Sequence, residues 1–164
     1  MSLSGILWGL QVVISMFFGQ YKYNLDAKGR VVIPQEFRKQ MGANCVVSAG
    51  LEECVTIYTY EGWQKYVDSS VSDLDDFDEK SRELKRLLFS CAFPKEIDFQ
   101  GRVTLDKSLI DYANITKDVV ILGTINCIEI WAAEKYSELF ANRSSQAIAL
   151  GNLIAERKRN SNGK

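Results

Sequence analysis

Short runs rich in Val, Ile, Tyr and Phe alternate with polar turn residues along the middle of the chain, a pattern that predicts strands broken by tight turns. Residues 21–25 and 30–33 read as the arms of a β-hairpin around Asp26-Ala27-Lys28-Gly29. Asp at the first position and Gly at the fourth suit a type I turn: the carboxylate accepts from backbone N–H groups and the glycine supplies a left-handed conformation. Pro34 fits the first turn of a short helix that places Phe37 and Met41 on one face and ends at Gly42. Residues 45–48 and 54–58 read as further strands, followed by a helix from near Glu61. Over residues 79–93 the period changes: Leu84, Leu87, Leu88 and Cys91 recur at helical spacing, predicting an amphipathic helix stopped by Pro94. Ala147, Leu150 and Ile154 mark a last helix running into Glu156-Arg157-Lys158-Arg159 and a polar tail.

The hairpin, helix and strand signals occur twice. LDAKGRVVIPQEFRKQMG from Leu25 aligns with IDFQGRVTLDKSLIDYAN from Ile97 at an offset of 72 residues, bringing Asp26, Gly29, Arg30 and Val31 onto Asp98, Gly101, Arg102 and Val103. After one inserted residue the offset is 73, and Val46, Val47, Gly50, Cys54, Ile57 and Glu61 meet Val119, Val120, Gly123, Cys127, Ile130 and Glu134. Leu109 and Ala113 take the places of Phe37 and Met41, and Asn114, the next best left-handed cap, takes that of Gly42. Strands are expected at residues 119–122 and 127–131.

A unit of roughly 70 residues could scarcely cover its own sheet, so two copies sharing one core are expected. The predicted class is α+β: two tandem β-hairpin/short-helix/strand repeats forming one pseudo-two-fold, barrel-like mixed sheet core with surrounding helices. Residues 1–15 read as an extension outside the fold or an upstream start, with a docked strand as the alternative. The first repeat is placed at 16–78, a connecting helix at 79–93, the second repeat at 94–140, and a C-terminal helix with its tail at 141–164.

Composition narrows the chemistry. With 164 residues, 46% apolar and 25% charged, the chain suits one globular domain or two small ones. It has no histidine, which removes Ser-His and Cys-His nucleophile pairs and the commonest neutral-pH general base, so no catalytic residue and no enzyme activity are expected. Cys45, Cys54, Cys91 and Cys127 form no CxxC pair, so neither a zinc cage nor a disulfide framework is indicated and a reducing cytosol fits. Cys54 and Cys127 read as small buried hydrophobes. The acidic run from Asp73 to Glu79 lacks the Gly and terminal Glu of a calcium loop and reads as a linker and helix N-terminus. No metal or cofactor is predicted. The apolar run from Gly5 to Ile14 is too short to span a bilayer, so no membrane partner is predicted.

A formal net charge of −1 does not advertise nucleic-acid binding. The distribution is more telling, because Lys22, Lys28, Arg30, Arg38 and Lys39 stand against only Asp26 and Glu36 in residues 20–40. For Arg30 and Arg102, the residues alone leave two readings open: an ion pair to the turn aspartate, or contact with a ligand.

LDAKGRVVIPQEFRK and DFQGRVTLDKSLIDYANI resemble the paired DxxGR motifs of the MraZ family, within the AbrB and SpoVT class of swapped-hairpin DNA-binding folds. The resemblance runs from Met16 to about Ile154. It implies a cytoplasmic, nucleoid-associated, sequence-specific transcriptional regulator that binds short tandem repeats in duplex promoter DNA upstream of the division and cell-wall gene cluster. It also implies a ring-shaped homo-oligomer and no small-molecule substrate. On it, Arg30 and Arg102 are assigned to base or phosphate contact, Lys28 to phosphate and Gln100 to a weaker polar contact, with Asp26, Gly29, Asp98 and Gly101 shaping the loops. Two positions break the symmetry: Lys28 faces Gln100 and Pro34 faces Asp106. The competing function classes are a ring-forming interaction scaffold that reads no sequence and, less favoured, a barrel-type enzyme.

Overall fold

The computed structural model describes residues 15–163, so the expected N-terminal extension lies almost wholly outside the described residues. The first repeat supplies β1 (Gln20–Asn24), β2 (Arg30–Val32), α1 (Gln35–Met41), β3 (Asn44–Ala49), β4 (Val55–Tyr58) and α2 (Tyr60–Val71). After α3 (Glu79–Phe89), the second supplies β5 (Ala92–Glu96), β6 (Arg102–Thr104), α4 (Lys107–Tyr112), β7 (Asp118–Gly123), β8 (Ile128–Ala132) and α5 (Ala133–Leu139), and α6 (Arg143–Asn162) ends the chain. The α+β class and the doubled order of elements follow the sequence pattern.

Six strands form one sheet in the order β1-β7-β8-β4-β3-β5, and β2 pairs with β6 separately. This order reads the same when every strand is exchanged for its counterpart in the other repeat. The first strand of each repeat crosses to the other: β1 pairs with β7, with Tyr21 opposite Ile121, while β3 of the first repeat pairs with β5, with Val47 opposite Phe93. Between the halves, β4 meets β8 at Ile57 and Ile128, and β2 meets β6 with Val31 opposite Val103. Both valines are buried. They belong to one shared core with Ile33, Phe37, Leu105, Leu109, Val47, Ile57, Ile121 and Ile130. Phe37 also meets Phe17 and Tyr21 edge-on, at 5.7 and 5.3 Å between ring centres, which ties α1 to the N-terminal segment.

Three expectations are corrected. The arms of each predicted hairpin do not pair with each other: β1 and β2 leave the same turn for different sheets, because each finds its partner in the other repeat. Every pairing is antiparallel rather than mixed, and among the described residues no ladder joins β1 to β5, so the sheet is open and not a closed barrel. Finally, Pro94 does not stop the connecting helix, since α3 ends at Phe89 and Pro94 lies within β5 opposite Val46. That strand is an edge strand, where a residue without an N–H is tolerated.

The caps fall where the turn residues place them. Asn114 has φ +53° after α4, and Gly42 has φ +75° after α1. Cys45, Cys54 and Cys127 are buried and unbridged, and burial pushes the Cys45 thiol up to about 11, which keeps it protonated and inert.

One backbone feature has no counterpart in the sequence reading. Ile125, between β7 and β8, has φ +70°, a conformation that a β-branched residue adopts only under strain. Its backbone exchanges two hydrogen bonds with Phe17, at 2.9 and 2.7 Å, and these hold it there. The Ile125 side chain is 49% exposed, so little burial would be lost on replacing it. Ile125→Asn is therefore expected to raise stability by about 1 kcal/mol in chemical denaturation, because Asn tolerates the left-handed region. A lower midpoint would show that the isoleucine side chain contributes more than its strain costs.

Candidate functional site

The eight residues singled out in the sequence gather at two turns of the same build. In the first, the Gly29 N–H donates to the Asp26 carbonyl at 3.0 Å, and the backbone N–H groups of Lys28 and Arg30 both donate to Asp26 Oδ1 at 2.9 Å. In the second, Gly101 donates to the Asp98 carbonyl at 2.9 Å, and Gln100 and Arg102 donate to Asp98 Oδ1 at 2.9 Å. Gly29 and Gly101 have φ +74° and +77°, the left-handed region expected of them.

The second oxygen of each aspartate holds the arginine. Arg30 Nε donates to Asp26 Oδ2 and Arg102 Nε to Asp98 Oδ2, each at 2.8 Å. The intramolecular reading of these arginines is therefore realised. It engages Nε, however, and among the described residues no hydrogen bond is made by the Nη groups of either arginine. Each arginine side chain keeps 25% of its surface exposed. A guanidinium fixed at Nε presents its two-pronged end to an outside acceptor such as a phosphate or a base edge, with its rotamer already chosen. Lys28 and Gln100 are exposed at the turn tips beside them.

The turns are stitched together across the repeats. The Gly29 carbonyl accepts from the Leu105 N–H and the Gly101 carbonyl from the Ile33 N–H, both at 2.8 Å, at the ends of the β2–β6 pair. Each turn thus rests on the strand end of the other repeat. The side chains beneath them also come from the other repeat, and here the symmetry fails. A Cβ placed on Gly29 would lie 3.3 Å from Ile110 Cδ1, whereas one placed on Gly101 would run into Arg38 Nη1 and lie 2.6 Å from its Cδ and Cζ. Arg38 and Ile110 stand at matching positions, 72 residues apart. In sequence Arg38 stands out only as one of the basic residues of 20–40 and as part of the LDAKGRVVIPQEFRK stretch, with no site role attached. Its alignment with Ile110 was the available signal, but the crossing that carries it to the second turn is not written locally.

Among the described residues no group of three or more acidic or cysteine side chains could hold a metal ion, and no helix is long and apolar enough to cross a membrane.

A family model described as MraZ protein matches the chain twice, over residues 16–87 and 88–150, with the boundary inside α3. The Transcriptional regulator MraZ of Natranaerobius thermophilus is 39% identical over 141 residues, 86% of this chain and 95% of that protein. The Lactobacillus gasseri protein of the same name is 41% identical over 123 residues, 75% and 85% of the two chains. That of Halothermothrix orenii is 37% identical over 121 residues, 74% and 84%.

The backbone hydrogen bonds from Arg30 and Arg102, ahead of the ion pairs, hold the Asp26 and Asp98 carboxyls below the usual carboxylate range. A carboxyl whose folded value lies below its unfolded value stabilises the fold above the unfolded value of about 3.9 and loses that contribution as pH falls through the folded value. The D26N/D98N double variant is therefore expected to lose stability at neutral pH and to show a shallower decline below about pH 4 than the parent. Parallel acid-unfolding curves for the two proteins would remove the turn carboxylates from the acid sensitivity.

Proposed function

The chain belongs to the MraZ family, and from that premise we propose that it is a cytoplasmic, sequence-specific DNA-binding regulator of transcription that reads duplex DNA with its two Asp-x-x-Gly-Arg turns. The family is one of regulators and not of enzymes. The observation that carries the DNA reading is the matched pair of turns, each offering the free end of a guanidinium whose Nε is already held by Asp26 or Asp98.

Arg30 and Arg102 are the base- or phosphate-contacting residues in this reading. A guanidinium end matches the paired acceptors of a guanine edge, and a side chain ordered before binding loses less entropy on contact. Lys28 meets a phosphate as a compact charge, and Gln100 makes a weaker polar contact. Asp26, Gly29, Asp98 and Gly101 aim these groups. The pseudo-two-fold arrangement presents the turns as a pair, so one chain engages two neighbouring stretches of duplex.

The targets proposed are short tandem repeats upstream of the division and cell-wall gene cluster, bound by a ring-shaped homo-oligomer associated with the nucleoid. A lone protomer neutralises few phosphates, whereas linked protomers convert later contacts into intramolecular ones and raise avidity by about 10²–10⁴. Ile148, Leu150, Leu153 and Ile154 on α6, with Leu84 and Leu87 on α3, are exposed and provide apolar surface for such contacts.

Gel shifts with DNA from upstream of the protein's own gene, against random duplex at matched salt, test this directly. Arg30→Ala is expected to weaken the specific complex by about 1–3 kcal/mol without unfolding the chain, and Lys28→Ala to weaken both complexes alike. Unchanged specific affinity in Arg30→Ala would remove that residue from the interface. Light scattering is expected to give a mass of several protomers, and a monomer binding one and three DNA repeats equally well would end the assembly reading.

A further inference from the structure

We propose that Arg38, carried on α1 of the first repeat, is a DNA-contacting residue of the second turn, supplying from the other repeat the phosphate-binding cation that Lys28 supplies to the first. The proposal rests on the DNA reading above. Its geometry is independent of that reading: Cδ and Cζ of Arg38 occupy the space a Cβ on Gly101 would need, so the guanidinium end lies directly against the second turn.

Packing alone does not call for an arginine there. At the matching place under Gly29, Ile110 fills the same role with a purely apolar side chain at 3.3 Å. The arginine is moreover poorly satisfied within the chain. Its Nε is buried without a hydrogen-bond partner, and among the described residues it makes no ion pair. Three acids near it are engaged elsewhere, Asp98 with Arg102 at 2.8 Å, Asp106 with Lys95 at 2.7 Å and Glu36 with Lys39 at 3.1 Å, and Glu96, exposed at the end of β5, makes no ion pair with it. A guanidinium desolvated in part, unpaired and pressed against a loop is held ready for an acceptor from outside.

Charge balance gives that acceptor a chemistry. In the first turn Asp26 neutralises Arg30 and Lys28 remains. In the second Asp98 neutralises Arg102, and Gln100 contributes no charge. Among the turn residues themselves Arg38 restores one positive charge to the second turn, the more so as exposed Glu96 stands beside it where the first turn has Asn24.

Arg38→Ile tests this, because it installs the side-chain type that already supports the first turn. Affinity is read by fluorescence anisotropy over a salt series, on duplex from upstream of the protein's own gene and on random duplex of equal length. Arg38→Ile is expected to weaken both complexes several-fold and to reduce the salt slope by about 0.9, the signature of one lost phosphate contact. Adding Gln100→Lys to Arg38→Ile should restore the slope and most of the affinity. Arg38→Met, unbranched and better suited to a helix, gives the same reading if the isoleucine variant melts early. Parental affinity and slope in both Arg38 variants, while Arg30→Ala binds weakly, would overturn the proposal and leave the DNA reading standing. A loss that Gln100→Lys fails to restore and that follows a lowered melting temperature would also overturn it, assigning Arg38 to packing. If Arg30→Ala too binds as the parent does, it is the DNA reading that has failed.

Discussion

The short β2–β6 pairing is the contact on which the geometry of both turns depends. It is only three residues long on each side, centred on Val31 and Val103, and its ends are the arginines that follow the turn glycines. A ladder this short has little stability of its own. Buried valines at its centre and core residues on either side hold it, and the Gly29 and Gly101 carbonyls extend it into the opposite repeat. Each turn is closed by its own hydrogen bonds, but its place in the molecule is set by the other repeat. The turns are consequently fixed relative to each other by the core, although each is exposed at its tip.

Within each turn the aspartate does two things that one carboxylate can do only because its oxygens face different ways. Oδ1 closes the loop by accepting from the backbone, and Oδ2 selects the arginine rotamer. An ion pair this exposed contributes little to stability. Its value lies in preorganisation, since a side chain already ordered does not have to be ordered again on contact. The same feature explains how one sequence supports both readings of the arginines: the intramolecular bond is real and leaves the outward donors unspent.

Local chemistry was legible in the sequence. Turn positions, the left-handed Gly29, Gly101 and Asn114, the buried faces of α1 and α4, and the doubling of the unit all followed from residue types at fixed spacing. Partnership between segments was not. The pattern of residues 21–33 is that of a hairpin, and nothing local says that its arms pair with β7 and β6 instead of each other. Pro94 likewise reads as a helix stop until the edge position of β5 is known. The site was legible to the same depth: the eight turn residues come together, whereas Arg38 and Ile110 reach the turns only through the exchange of segments between repeats.

That exchange also constrains how copies of the chain can meet. An open sheet leaves β1 and β5 as edges, and an unprotected edge invites further strands. Here β5 carries Pro94, which cannot donate, and Lys95, while β1 places Gln20, Lys22 and Asn24 on its exposed positions. Both edges therefore resist addition of another strand. Helices offer apolar surface instead: α6 has no buried residue along its length from Arg143 to Asn162, and α3 has none either. Helical faces tolerate side-by-side packing without competing for the sheet's hydrogen bonds. Assembly through them leaves the β2–β6 pair and both turns undisturbed, so self-association and the presentation of the arginines occupy separate parts of the molecule.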